Sequence, residues 1–583
     1  MRRLLIVFAV LIAFAVLAAA IGIFFSGGPA PLGGDLVLTW RIDSPLVDYS
    51  ESPDLSVFFP RRATTGLARI HQTLTKARDD DRVKGLAVYI HNTRFGFGKA
   101  QEIRSLLQAF TRSGKFVDCY LETAGEGTNG TLSYYLATAC ERITVSPLGE
   151  WNVVGLYSDS PFIRGTLDKL HIEPQFLHVG DYKSAAEFYT ETEHSEAAAQ
   201  ALGAVLDDLY GQIVEAISVA REIPAESVRE MVDQAPLNAD QALQMGLVDE
   251  VTYPDVFEER FAERLQSEPI DLSLDEYSTA APSFAKHRVA VVFAQGTIVR
   301  GGNGTDSWSQ QRYVGSESMR QILQPIAEDT GLAGVVLRVD SPGGSPVASD
   351  LILRELELLA KKMPVVVSMS DVAASGGYYI SSKAAKIVAQ PATITGSIGV
   401  VGGKFATRDF QQELLGITHD EVHRGANADF FSTLDPFSPA QEAQYLAQMT
   451  RIYDIFVDHV VQGRQMSRET VETVAGGRIW TGQQASEVGL VDEIGGLSRA
   501  IELVLEAAGH DPQDSAELDF YPRPPSFLDM LTRSLSPFLE LRSLSLPVVP
   551  TLRAPQALEL PPELLQLLIP ATESTVNRIY FRR

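Results

Sequence analysis

The stretch Asp371-Val-Ala-Ala-Ser-Gly-Gly-Tyr-Tyr-Ile-Ser-Ser382 places one serine, Ser375, between two alanines and two glycines, shortly after the apolar run at 365–367. The run predicts a buried strand, and the paired glycines predict a tight turn into a helix. At the start of such a helix the hydroxyl would be uncovered, and backbone N–H groups without helical partners could face a developing oxyanion. On these residues alone, a nucleophile and a plain strand-to-helix turn are equally good interpretations.

The composition is that of a large globular protein. A chain of 583 residues exceeds one hydrophobic core, and 45% hydrophobic with 21% charged residues is typical of folded domains. The net charge of −25 leaves no surplus of Lys and Arg to neutralise phosphates, so no nucleic-acid partner is expected. We interpret the two cysteines, Cys119 and Cys140, as small buried hydrophobic residues, with a single bridge between them as the less favoured alternative. The sequence indicates no metal site and no cofactor.

The N-terminus has the pattern of a membrane anchor. Arg2 and Arg3 precede an uninterrupted apolar stretch at 4–25, which as a helix would reach about 33 Å, enough to cross a bilayer. A cleaved signal peptide is the alternative, since Ala18-Ala-Ala20 could form a cleavage site, but the apolar run continues beyond it. The positive-inside rule keeps the arginines inside, so we expect everything after Ser26 to be exported.

The chain contains a duplicated unit. Gly85-Leu-Ala-Val-Tyr-Ile-His91 matches Gly334-Val-Val-Leu-Arg-Val-Asp340, and Ala242-Leu-Gln-Met-Gly-Leu-Val-Asp-Glu250 matches Ala485-Ser-Glu-Val-Gly-Leu-Val-Asp-Glu493. A pair of tyrosines lies between these landmarks in both copies, and the order is the same, at separations of 243 to 249 residues. A period of this length indicates a tandem duplication of one domain rather than a solenoid.

Each copy alternates short β-branched runs with helical patterns. In the second copy, strands are predicted over 289–293, 335–339, 365–368 and 386–388, and helices over 316–326, 350–361 and 376–382. This alternation predicts an α/β fold with a largely parallel, buried sheet. A longer helical pattern at 439–461, with a counterpart at 197–219, predicts a helical layer in each copy.

We therefore divide the chain into four parts. They are an N-terminal membrane anchor at 1–30, a first repeat domain at 31–280, a second repeat domain at 281–510 and a proline-rich C-terminal extension at 511–583. The extension carries proline pairs and no clear periodicity, which predicts an extended arm or a flexible tail.

The duplication separates what the fold requires from what only one copy keeps. Opposite Ser375 the first copy has Thr131, and the two following glycines are absent. Opposite Asp340-Ser-Pro-Gly-Gly-Ser345 it has His91-Asn-Thr-Arg-Phe-Gly96, without the paired glycines. Because the first copy folds without them, the serine and the glycine loop are candidates for chemistry.

The reverse difference is a lysine. Lys183 of the first copy lies opposite Ala428 of the second. A desolvated lysine can be neutral near pH 7 and accept a serine proton, although Asp181 and Glu187 nearby would favour its charged form. A single lysine is ordinarily a solvated surface charge, but the complementary losses in the two copies predict that Lys183 is the base for Ser375.

These motifs resemble the signal peptide peptidase A (protease IV) family in its long, tandem-repeat form. The resemblance covers about residues 30–505 and rests on Gly180-Asp-Tyr-Lys-Ser184, Asp340-Ser-Pro-Gly-Gly344, Ala373-Ala-Ser-Gly-Gly-Tyr-Tyr379, Thr395-Gly-Ser-Ile-Gly-Val400 and the Gly-Leu-Val-Asp motif ending at Asp492. It implies two tandem Clp-protease/crotonase-like domains. It also implies a membrane-anchored serine endopeptidase on the periplasmic side of a bacterial inner membrane, which degrades cleaved signal peptides. The expected partners are peptide substrate, membrane lipid around the N-terminal helix and further copies of the chain, as a homotetramer.

Carried over by motif, Ser375 is the nucleophile and Lys183 the general base of a Ser-Lys dyad. We expect the oxyanion to be held by backbone N–H groups of Gly343 or Gly344 and of Gly376. Ser397, in the Gly-Ser-Ile-Gly turn, is either structural or orients the lysine.

Other functions remain to be weighed against this one. A serine protease with a histidine base would use His419 or His423, although His178 occupies the place of His423 in the first copy and suggests an architectural pair. A crotonase-type acyl-thioester enzyme would use similar glycine loops, but export from the cytoplasm argues against it. A non-catalytic membrane scaffold is the third alternative.

Overall fold

The computed structural model describes residues 34–43, 45–50, 66–91, 93–280, 285–306, 309 and 311–523. The predicted anchor at 1–30 and the predicted extension from residue 524 onward lie outside these ranges. Within them, no helix combines the length and the apolar character that crossing a bilayer requires.

The first half of the chain alternates strands with helices. Its strands are β1 (Leu36–Ile42), β2 (Val83–Ile90), β3 (Phe116–Leu121), β4 (Arg142–Val145), β5 (Glu150–Trp151), β6 (Glu173–Val179), β7 (Leu237–Asn238), β8 (Glu250–Val251) and β9 (Ile270–Ser273). Its helices are α1 (Leu67–Arg78), α2 (Phe97–Arg112), α3 (Thr131–Ala137), α4 (Arg164–Lys169), α5 (Glu187–Thr190), α6 (Glu196–Arg221), α7 (Ala225–Gln234), α8 (Ala239–Gln244), α9 (Pro254–Leu265) and α10 (Leu274–Ala280).

The second half continues the alternation. Its strands are β10 (His287–Gln295), β11 (Thr297–Val299), β12 (Gly304–Thr305), β13 (Arg312–Gly315), β14 (Gly334–Ser341), β15 (Val365–Ala374), β16 (Lys386–Ala389), β17 (Ile394–Gly396), β18 (Val400–Ala406), β19 (Ile479–Thr481), β20 (Glu493–Ile494) and β21 (Ala516–Tyr521). Its helices are α11 (Ser316–Ile326), α12 (Pro346–Ala360), α13 (Gly376–Ser381), α14 (Pro439–Arg464), α15 (Arg468–Val474), α16 (Gly482–Glu487) and α17 (Leu497–Ala507), with one π-helical turn at Phe410–Leu414.

The two halves contain parallel sheets with the same strand order. The first sheet runs β8-β4-β3-β2-β1-β9, and the path β20-β16-β15-β14-β10-β21 repeats it in the second. Every pair along both paths is parallel, whereas the additional strand β19 pairs antiparallel with β17. The central strands are almost wholly buried, as parallel strands covered on both faces must be. The predicted α/β fold with parallel sheets is therefore confirmed.

The predicted helices lie close to the observed ones. The helix predicted over 316–326 has those bounds, and the long predicted helices are α6 and α14, of 26 residues each. The helix predicted to start at 350 begins earlier, at Pro346, because the side chain of Ser345 accepts a hydrogen bond from the Ala348 N–H and caps it.

Two expectations from the sequence are wrong. Cys119 and Cys140 are not separate buried thiols but form a disulfide, because α3 returns the chain to β3 and leaves their Cα atoms 5.8 Å apart. The chain after 511 is not irregular throughout, because β21 pairs parallel with β10. Its residue Leu518 is buried in the apolar layer of the second sheet, which supplies the reason for the strand.

The two halves are joined by shared structure. Strand β6 of the first half pairs antiparallel with β18 of the second along seven residue pairs, ending at Val179 opposite Val400. Ala392 and Ile394 of the second half belong to the hydrophobic core of the first. Side chains from one half can therefore be held rigidly against the other.

Candidate active site

Ser375 lies at the carboxyl end of β15, in the position just before helix α13, where its side chain makes no capping hydrogen bond. Its backbone has φ of 53° and ψ of −116°, a combination that residues with a side chain seldom adopt and that is typical of strained functional turns. Its N–H donates to the Gly396 carbonyl at 2.9 Å. A side chain does not fit at either glycine, because a Cβ on Gly377 would lie 2.5 Å from the Ser341 carbonyl oxygen and one on Gly376 would lie 2.7 Å from the Ser349 Oγ.

Lys183, from the loop after β6, reaches this serine within the same chain. Its Nζ lies 3.2 Å from the Ser375 Oγ, so two residues that are 192 positions apart in the sequence share a hydrogen bond. The same Nζ donates to the carbonyl oxygen of Ser397 and contacts its Oγ, each at 2.8 Å. The lysine side chain is buried, and Ser375 is half-buried.

Close backbone packing holds the lysine loop in place. The Tyr182 N–H donates to the Gly476 carbonyl at 2.9 Å, and the Gly477 N–H donates to Ile398 at 2.7 Å. A Cβ on Gly477 would lie 2.5 Å from the Lys183 nitrogen, so only glycine allows this approach. Sequence reasoning missed this pair, although adjacent glycines after a helix were a signal of close backbone contact.

The environment of Lys183 favours its neutral form. Burial lowers the pKa of Lys183 to about 7, because desolvation destabilises the ammonium ion and its partners are uncharged oxygens. The nearby Glu187 makes no ion pair with Lys183; its carboxylate accepts hydrogen bonds from Ser195. A substantial fraction of the lysine is therefore unprotonated near neutral pH.

Ser397 occupies a second unusual backbone position beside the lysine. Its φ is 51°, and its N–H donates to the Arg478 carbonyl at 2.7 Å. This conformation turns both its carbonyl oxygen and its hydroxyl toward the Lys183 Nζ. Ser397 thus provides two of the contacts of the Lys183 amine.

The glycine loop after β14 contacts the serine turn directly. A Cβ on Gly343 would lie 2.6 Å from the Gly376 nitrogen and 2.8 Å from the Ser375 Cβ. The Gly343 N–H donates to the Ser341 Oγ at 3.2 Å and is therefore already paired. Its carbonyl accepts from Ile298, whereas the Gly344 nitrogen lies 3.2 Å from the position of a Cβ on Gly376. The Gly343 N–H is thus engaged by Ser341, while the Gly344 nitrogen lies close to Gly376.

The histidines considered as alternative bases make other contacts. His423 faces Glu421 at 3.2 Å, and His419 faces Gln411 at 2.7 Å. Neither has a hydrogen bond to Ser375, whose side-chain partner is the lysine amine. Across the described ranges, no group of three or more His, Cys, Asp or Glu side chains is arranged to hold a metal ion.

A parallel α/β fold that presents a serine on a strained turn, with a buried amine at its hydroxyl, has the architecture of a serine hydrolase. Comparison with known protein families identifies which kind of serine hydrolase it is. The profile of Peptidase family S49 matches residues 121–267 and 357–510. The chain belongs to Peptidase family S49 and is a serine peptidase, which favours peptide hydrolysis over the acyl-thioester chemistry weighed above.

Individual relatives agree with this assignment. Protease 4 of Haemophilus influenzae is 32% identical over 550 residues, covering 89% of this chain and 86% of that protein. The chloroplastic serine protease SPPA of Arabidopsis thaliana is 31% identical over 454 residues, covering 76% of this chain and 66% of that protein. A putative signal peptide peptidase SppA of Enterococcus faecium is 34% identical over 221 residues, 37% of this chain and 63% of that protein. The resemblance to signal peptide peptidase A found in the sequence is confirmed.

Proposed function

We propose that the protein cleaves peptide bonds with a Ser-Lys dyad formed by Ser375 and Lys183. The observation that carries the proposal is the 3.2 Å contact between the Lys183 Nζ and the Ser375 Oγ. It is supported by a pKa of Lys183 that burial lowers to about 7, since a general base works best when its pKa is near the operating pH.

In the proposed mechanism, neutral Lys183 removes the hydroxyl proton of Ser375 as the Oγ attacks the carbonyl carbon of the scissile bond. The N–H groups of Gly344 and Gly376 stabilise the oxyanion, a contribution of about 10²–10³ in rate for each such donor. The lysine then donates its proton to the departing amine, and a water molecule hydrolyses the acyl-enzyme with the same base. Ser397 keeps the amine directed at the Oγ through its two contacts.

The proposed substrates are cleaved signal peptides and similar hydrophobic peptides, as the name of the Enterococcus relative suggests for that protein. An extended peptide would lie beside the glycine loop that follows Val339. Its backbone would add a strand there, so that affinity comes from main-chain hydrogen bonds.

We further propose that residues 1–30 anchor the chain in the bacterial inner membrane and that the body is periplasmic. The Cys119–Cys140 disulfide supports an oxidising compartment. In this proposal two Clp-protease/crotonase-like domains, 31–280 and 281–510, precede the extension at 511–583, and the chain assembles as a homotetramer. Expression in cells, followed by membrane flotation of the full chain and of a variant lacking 1–30, tests the anchor. Light scattering in detergent tests the assembly.

The test of the dyad is covalent labelling of the purified full chain with a fluorophosphonate or a peptide boronate, followed by mapping of the adduct. Modification of a residue other than Ser375 would refute the proposal. Ser375→Ala should lose peptidase activity, whereas Thr131→Ala, the matched change in the first half, should keep it. Both variants should unfold at similar denaturant concentrations, which separates lost chemistry from lost structure.

A further inference from the structure

A second buried lysine of the first half, Lys99 in the first turn of α2, also reaches into the second half. Its Nζ donates to the Asp340 Oδ2 at 2.5 Å and to the Asp371 Oδ2 at 2.7 Å, and it lies 3.4 Å from the Asp48 Oδ2. All of these side chains are largely buried. Charges removed from water require close pairing, so the three carboxylates and the ammonium must be placed accurately.

The two aspartates stand at the strand ends that lead into the candidate active site. Asp340 lies near the end of β14, three residues before Gly343, and Asp371 lies in β15, four residues before Ser375. Between these strands Val339 pairs with Met369, but Ser341 pairs with Ala373, so β15 bulges around Asp371. A β-bulge redirects the strand that carries it, and here it sets the direction in which Ser375 leaves the sheet.

Polar contacts hold this bulge from both sides. The Asp340 Oδ1 accepts a hydrogen bond from the Val372 N–H at 3.2 Å, inside the bulge. The Asp371 carboxylate accepts from the Gly96 N–H at 3.0 Å and from the Lys99 N–H at 2.8 Å. Helix α2, which has no capping side chain of its own, is thus capped by an aspartate of the other half.

We propose that Lys99 is a positioning residue for the peptidase reaction, which sets the spacing between Ser375 and the glycine loop through Asp340 and Asp371. The inference rests on the proposed function of Ser375. Lys99 has no contact with the serine hydroxyl, so its effect is transmitted through the ends of β14 and β15. A displacement of about 1 Å at reacting atoms can cost about 100-fold in rate.

The same helix offers a matched control. Glu102, one turn after Lys99, is also buried at the boundary between the halves and pairs with the Arg338 Nη2 at 2.6 Å. It accepts a hydrogen bond from the Leu497 N–H at 2.8 Å. Its hydrogen bonds and ion pair are with Arg338 and Leu497 and not with Asp340 or Asp371. Glu102→Gln therefore removes an interface charge while Asp340 and Asp371 keep their hydrogen bonds to Val372, Gly96 and Lys99.

The experiment measures kcat, KM and the denaturation midpoint of the full-length wild type, Lys99→Met and Glu102→Gln on a fluorogenic peptide. We expect Lys99→Met to lower kcat by about 100-fold with KM within about threefold, because geometry rather than binding is lost. Glu102→Gln should lower the midpoint and leave kcat within about threefold. Lys99→Arg, which keeps the charge, should restore kcat to within about tenfold of the wild type.

A folded Lys99→Met with kcat within threefold of the wild type would overturn the proposal, as would an equal loss of kcat in Glu102→Gln. If Lys99→Met does not fold, Asp371→Asn replaces it, since the amide oxygen still accepts from Gly96. A drop in kcat of about tenfold supports the proposal, and an unchanged kcat overturns it. Ser375→Ala in the same assay separates the two proposals. Wild-type activity of Ser375→Ala refutes the dyad itself. An inactive Ser375→Ala together with a fully active Lys99→Met refutes only the positioning role.

Discussion

Lys183 and Lys99 are two buried lysines of the first half whose amines contact residues of the second half. Their surroundings shift the lysine pKa in opposite directions. Burial alone lowers the pKa of Lys183 to about 7, because its partners are neutral oxygens. Burial also acts against the charge of Lys99, but Asp340, Asp371 and Asp48 overcome it and raise its pKa well above the usual range. The partners of a buried amine, rather than its burial, decide whether it is a base or a permanent cation.

The largest expected effect comes from making the same Lys→Arg change at both positions. An arginine is always protonated, so Lys183→Arg should lose about 10³-fold or more in kcat/KM, the loss of a general base. Lys99→Arg should stay within about tenfold of the wild type, because its task is served by a cation. Steady-state kinetics of both variants on one peptide measure the effect. Equal losses of kcat/KM at the two positions would contradict the assignment of Lys183 as a base and Lys99 as a permanent cation.

The next largest effect is on the free energy of unfolding. Replacing the lysine by methionine should raise it at position 183 and lower it at position 99. The folded pKa of Lys183 lies below its unfolded value of about 10.4, so the unfolded chain binds more protons between pH 7 and about pH 10. The free energy of unfolding of the wild type therefore rises with pH across this range, and the cost of burying the amine is largest at pH 7 and below. Lys183→Met removes this cost and should raise the free energy of unfolding by about 2–4 kcal/mol at pH 7 and by less at pH 9. Lys99→Met leaves carboxylates unpaired and should lose about 3–5 kcal/mol.

Chemical denaturation at pH 7 and pH 9, followed by tryptophan fluorescence, measures both variants. Lys169→Met, at an exposed lysine of the same half, is the control and should change stability by less than about 0.5 kcal/mol. Shifts of the same sign for Lys183→Met and Lys99→Met would show that their surroundings do not differ as described.

The smallest expected effect is the pH dependence of the wild type. Because only the neutral amine can accept a proton, kcat/KM should rise about tenfold between pH 6 and pH 8 and level off above that, following the pKa of Lys183 near 7. Glu102→Gln, which does not alter the contacts of Lys183, should reach half-maximal kcat/KM at the same pH as the wild type. A profile that is flat over this range would exclude Lys183 as the base.

The sequence was sufficient for the fold class, the duplication and the two residues of the proposed dyad. Ser375 and Lys183 were found because each is kept in one copy and lost in the other. The same comparison sets Lys99 opposite Ala348, at the 249-residue separation of the neighbouring strands, so a signal for Lys99 existed. That signal could not be interpreted alone, because Asp340 and Asp371, which pair with Lys99, come from the other half and no spacing in the chain indicates the contact.

Other details depended on three-dimensional packing. Gly344 rather than Gly343 is the proposed donor because the Ser341 hydroxyl engages the Gly343 N–H, a contact that a glycine pattern does not reveal. The disulfide was the less favoured alternative because the apolar neighbours of the two cysteines also suit buried thiols.

The packing of the Lys183 loop against Gly476 and Gly477 determines the stage of synthesis at which the proposed dyad can assemble. The two glycines follow Lys183 by nearly 300 residues, and Ser375 lies between them and the lysine. A growing chain that has reached only residue 470 already contains both the serine and the lysine, but it lacks the backbone that holds them together. Under the proposed mechanism, the base of the dyad therefore gains its backbone support only once residues 476 and 477 have been synthesised.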